Sequence, residues 1–170
     1  MSSSALLLTL TLAFVPVAAA DEHGAAEEEH SEGEHHDFHR NHLSFFLGVT
    51  DGREAEGGGE EDAADTLGLD YERRLTRVFG VGLLLEFVGG DQREGVVGIP
   101  VTFHAGRAAK FLLAPGVERN LEIDDYEFLV RVGFAYDFEV GRITLAPALN
   151  VDLVDGEQIY VYGVNIGWGF

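Results

Sequence analysis

Between residue 42 and the final Phe170, segment after segment carries apolar side chains at every second position. In "YEFLVRVGFAYDFEV", Tyr126, Phe128, Val130, Val132, Phe134, Tyr136 and Phe138 share one parity. Glu127, Leu129, Arg131, Gly133, Ala135, Asp137 and Glu139 share the other. Side chains alternate across a strand, so a period of two collects the first set on one face of a sheet. A helix would need a period near 3.6, and the chain does not supply it. "RITLAPALNVDLV" alternates in the same way, and so does the terminal "EQIYVYGVNIGWGF".

Eight such segments follow one another, near 42–50, 65–75, 78–88, 94–104, 109–119, 126–139, 142–154 and 157–170. Tight connections ("RLTRVF", "HAGRAAK", "EVGR") alternate with polar ones ("DGREAEGGGEEDAAD", "GGDQRE", "RNLEIDD"). The expected fold is all-β: an eight-stranded antiparallel up-and-down barrel over residues 42–170.

Two kinds of barrel satisfy that pattern, each the inside-out version of the other. A soluble lipocalin-like barrel is apolar within; a transmembrane barrel is apolar outside. Three features favour the transmembrane arrangement. The apolar face is bulky on every strand, whereas the opposite face mixes Gly, Ala and charge, which suits a narrow bore. Aromatic residues gather at both ends of the apolar face. Tyr71, Phe79, Phe103, Phe111, Tyr136, Phe138, Trp168 and Phe170 lie at the tight-turn end; Phe87, Tyr126, Phe128, Tyr160 and Tyr162 lie at the other. Two such girdles mark the two interfaces of a bilayer. A secretory signal at the N-terminus would export the chain, and the strands are also long enough for a tilted crossing.

The last strand adds a resemblance. Tyr160, Tyr162, Val164, Ile166, Trp168 and Phe170 resemble the C-terminal strand of bacterial outer-membrane β-barrels, which closes on Phe or Trp after alternating apolar residues. The segment 42–170 is most similar to small eight-stranded barrels such as the transmembrane domain of outer-membrane protein A. The resemblance implies outer-membrane lipid around the barrel, a monomer, and recognition of those six residues by the barrel-assembly machinery. It also implies that both termini are periplasmic and the 51–64 loop extracellular. Pro100, Pro115 and Pro147 fall inside expected strands, where a missing N–H predicts bulges or gaps.

By parity, the inward face carries Asp70, Glu72, Arg74, Glu86, His104, Lys110, Glu118, Glu127, Arg131, Asp137, Glu139 and Asp152. The expected role of these charges is to plug the bore by pairing, with Arg131 meeting one or more of Glu86, Glu127 and Asp70. The alternative is a narrow path that favours cations, since acids outnumber bases. A lipid-modifying enzyme is a third reading. It would need nucleophile, base and orienting group within hydrogen-bond reach. His104 shares its face with Thr102, and Ser44 is the lone serine of the barrel, so no catalytic set is spelled out and no catalytic residue is assigned.

The segment before the barrel differs in character. Residues 1–20, with the apolar run "ALLLTLTLAFVPV" and small "VAAA", read as a secretory signal cleaved near Ala20; a retained anchor helix is the alternative. Residues 21–41 form an acidic arm that should remain disordered, because it has almost nothing apolar to bury. Six of the seven histidines lie in it or at its junction: His23, His30, His35, His36, His39 and His42. Neutral imidazole beside carboxylate suits zinc, copper or nickel, so weak, exchangeable metal binding is expected, against a plain solvated linker. No cofactor is required. The formal charge of −19 argues against nucleic acid, which needs a basic footprint. Cysteine is absent, which excludes disulfides and thiolate chemistry.

Overall fold

The computed structural model describes residues 39–51, 63–90, 93–121 and 125–170. The signal stretch and the arm as far as residue 38 lie outside them. The strands are β1 (Asn41–Asp51), β2 (Ala64–Arg74), β3 (Phe79–Val88), β4 (Glu94–Gly98), β5 (Val101–Ala105), β6 (Ala109–Asn120), β7 (Asp125–Tyr136), β8 (Phe138–Val140), β9 (Ile143–Val154) and β10 (Glu157–Gly169). Among the described residues there is no helix. β4 with β5, and β7 with β8, each make one interrupted stave, so the sheet has eight staves. Every pairing is antiparallel, and β10 pairs with both β9 and β1. That last pairing closes the barrel and removes the edge strands.

The stagger of the barrel can be followed through its register. The row starting at Asn41 passes Arg73, Val81, Val101, Leu113, Val132, Val151 and Tyr160, and returns to β1 at Asp51. It comes back ten residues above its start. Such a shear forces the strands to tilt and leaves a bore narrow enough for side chains to fill.

The inside-out question is resolved by burial. Phe128 is 65% exposed, whereas Arg131, three residues on and of opposite parity, is 1% exposed. The apolar face points outward on every stave and the polar residues point in. Neighbouring rings form a chain at the tight-turn end: Phe79–Phe103, Phe103–Phe111 and Phe111–Phe134, with centroids 5.4, 6.5 and 5.2 Å apart. Tyr71 anchors this end by donating its hydroxyl to Asn41 Oδ1 at 2.9 Å.

Only one of the three prolines breaks a strand. The gap between β4 and β5 falls at Ile99–Pro100, as the missing donor predicts. Pro115 and Pro147 sit inside continuous strands, opposite Val130 and Val164. The Pro115 carbonyl accepts from the Ile99 N–H at 2.9 Å. In an antiparallel strand a residue's N–H and C=O face the same neighbour. The donor that Pro115 lacks would therefore have faced the gap already opened by Pro100, so one interruption accommodates two prolines. The β9–β10 hairpin turns on Asp155 and Gly156, both at positive φ (45° and 91°), the pairing that a two-residue type I′ turn requires.

Candidate functional site in the barrel lumen

The lumen has two regions of different chemistry. Toward the end that carries the β9–β10 turn, Leu84, Val96, Leu129, Val154 and Ile159 form one buried apolar cluster, and Glu94, Glu118, Thr50 and Thr66 are also buried toward that mouth. Phe46, from β1, is also buried, and its ring lies over Gly48. Parity placed mainly glycine, alanine and charge on this face, with Leu129 among them; the structure gathers Leu129 into an apolar plug. The shear brings Leu84, Leu129 and Ile159 together although they lie far apart in the chain.

Below the plug, Arg131 holds the charge network. Its Nε and Nη2 donate to the two oxygens of Asp152 at 2.6 and 2.7 Å, and its Nη1 donates to Glu86 Oε1 at 2.6 Å. Asp152 faces Arg131 directly in the β7–β9 register, which makes the two-pronged geometry possible. Glu86 comes from β3, three staves away, so the guanidinium ties opposite walls together. Of the partners expected for Arg131, Glu86 is present. Glu127 is not among the lumen charges: it keeps the inward parity but stands exposed at the mouth, because β7 extends past the plug. Glu139 is likewise exposed, on β8 beyond the interruption at Asp137. Asp152, the main partner, requires the strand register to be known.

A second network lies nearer the tight turns. Glu72 Oε1 accepts from the Thr102 hydroxyl at 2.7 Å and lies 2.5 Å from His104 Nε2. Arg74 Nε stands 3.9 Å from the same oxygen, and Lys110 Nζ stands 3.8 Å from Asp137 Oδ1. Gly80 packs directly beneath this network, and a Cβ there would push aside Glu72 Oε1 and Thr102 Oγ1. Glu118 is buried toward the other mouth. Asp70 Oδ1, Asn150 Oδ1 and Asn165 Oδ1 are buried with no hydrogen-bond partner among the described residues. All three residues line a cavity of about 50 Å³, together with His42, Ser44 and Lys110. A polar space of that size suits ordered water, which would satisfy such oxygens.

His104 is engaged by Glu72 rather than Ser44, and both are buried. Among the described residues no group of three or more His, Asp or Glu side chains is placed to hold a metal ion. His42 lines the cavity, and His39 lies at the rim against Gly169. His23, His30, His35 and His36 lie outside the described residues. The six residues of the terminal strand, Tyr160 to Phe170, all point outward.

The fold is that of small eight-stranded outer-membrane β-barrels. The N-terminal β-barrel domain of Pseudomonas aeruginosa OprF superposes with a TM-score of 0.57 at 12% identity, over 78% of this chain and 98% of that one. The outer membrane protein OprG from Pseudomonas aeruginosa gives 0.55 at 11%, over 76% and 95%. A de novo designed transmembrane β-barrel gives 0.53 at 9%, over 79% and 98%. At these identities the likeness is one of fold. No protein-family model matches the chain, and no curated protein does.

Proposed function

We propose that this chain is a non-enzymatic outer-membrane β-barrel, a membrane-embedded scaffold whose lumen is plugged and whose two termini are periplasmic. The observation that carries this reading is the filling of the bore. The apolar cluster around Leu129 and the Arg131–Asp152–Glu86 centre occupy it, and the cavity beneath them is about 50 Å³. A continuous ion path would need both to move. The outward apolar band matches a hydrocarbon solvent, and the two likenesses to Pseudomonas barrels support the outer membrane as its place. The barrel-assembly machinery would read the terminal strand, and the protein would work as a monomer. The His-rich arm would add weak, exchangeable binding of zinc, copper or nickel.

Planar-bilayer recording tests the plugged scaffold. A quiet membrane after verified insertion is the expected result. Stable, cation-selective conductance steps would overturn it in favour of a channel.

A further inference from the structure

The exposed charges of the described residues are sorted by the two ends of the barrel. At the tight-turn end stand Arg40, Arg73, Arg77, Arg107 and Arg142, with Glu139 as the one exposed acidic side chain among the described residues. At the other end stand Asp51, Asp65, Asp125, Glu127, Asp155 and Glu157, against Arg93 and Arg119. A chain with 11 basic residues in all has placed five exposed arginines on one rim. Lumen pairing does not explain this, since these side chains lie outside the lumen networks.

We propose that this arginine rim binds the phosphates of anionic phospholipids in the leaflet that meets the tight turns. The inference rests on the membrane-spanning reading above and adds a lipid preference to it. Three features support it. The rim adjoins the aromatic girdle, so its guanidinium groups sit at headgroup depth, beside the outward band of Phe79, Phe103, Phe111 and Phe138. Guanidinium is a planar donor suited to two phosphate oxygens at once. Finally, Arg142, Thr144 and His39 border a recess of about 380 Å³ at this rim, with Glu139 on its edge. The opposite rim, with its carboxylates, would repel the same headgroups.

Trp168 provides a local reporter because it is the only tryptophan. It points outward and pairs with Leu43, which in turn faces Tyr71, two residues from Arg73. On its other side, its neighbour Gly167 pairs with Thr144, two residues from Arg142. The full chain would be reconstituted into phosphatidylcholine vesicles containing phosphatidylglycerol. The brominated acyl chains would be carried by one lipid or by the other, at equal mole fraction. Trp168 fluorescence should be quenched preferentially by brominated phosphatidylglycerol, with a relative association constant about five-fold above that for phosphatidylcholine. The preference should fall with added salt. It should vanish in Arg73→Gln/Arg107→Gln/Arg142→Gln and persist in Arg119→Gln at the far rim. Equal quenching by both lipids, or a preference unchanged in the triple variant, overturns the proposal. Insertion is checked separately by gel migration before and after boiling. Failure to insert in any lipid would instead remove the membrane-spanning reading on which the proposal stands.

Discussion

Arg131 clasps both carboxylate oxygens of Asp152, its direct neighbour in the β7–β9 register, at 2.6 and 2.7 Å. The third contact, to Glu86, lets this guanidinium join β3, β7 and β9 through side-chain hydrogen bonds. Arg131→Ala would leave two buried carboxylates without their cation. A loss of about 3–5 kcal/mol is expected, read from denaturant unfolding in detergent. The triple change Arg131→Met/Glu86→Leu/Asp152→Leu should recover most of that loss, because no charge is then left buried alone. If Arg131→Ala unfolds at the wild-type midpoint, the network does not support the barrel.

Closure at the β1–β10 seam depends on a facing pair of glycines. Gly48 and Gly163 are register partners, and a Cβ on Gly163 would collide with the Leu47 carbonyl oxygen. At Gly48 a Cβ would strike the Tyr162 carbonyl oxygen at 2.5 Å and the Phe46 ring. Neither backbone contact can be relieved by a rotamer. Gly163→Val is therefore expected to abolish the compact gel band of the unboiled protein, while Val164→Ile, facing lipid beside it, leaves the band intact. A normal compact band from Gly163→Val would show that the seam opens more readily than the register implies.

The proposed orientation is checked by protease on intact cells. The 51–64 loop should be cut and the His-rich arm spared. Cutting of the arm first would invert the topology.

The metal binding proposed for the arm should depend on pH in a fixed direction. A solvated imidazole titrates near about 6.5. Above that value it is neutral and can ligate; as pH falls through it, protonation removes the lone pair. Calorimetric titration of the full protein with zinc should show binding at pH 7.4 that is largely lost at pH 5. Heats that are absent at both values, or equal at both, would leave the arm a solvated linker.

Much of this protein is legible along the chain because a closed barrel repeats one local rule. Parity puts Phe128 and Arg131 on opposite faces, the bulk and aromatic girdles of one face mark it as the outer one, and turn chemistry such as Asp155–Gly156 marks where a stave reverses. The terminal run from Tyr160 to Phe170 points to the class for the same reason: alternation is a property of neighbours in sequence. What parity cannot supply is depth along the axis. Glu127 and Arg131 share a face, yet one is at the mouth and the other at the centre. The shear decides which positions on distant strands share a level, and shear belongs to the closed sheet. The same limit hid the Arg131–Asp152 pair, the shared gap that serves Pro100 and Pro115, and the apolar plug that Leu84, Leu129 and Ile159 build from strands with no local reason to meet. The sequence by itself determined the faces; only closure into a staggered cylinder decided which residues on those faces touch.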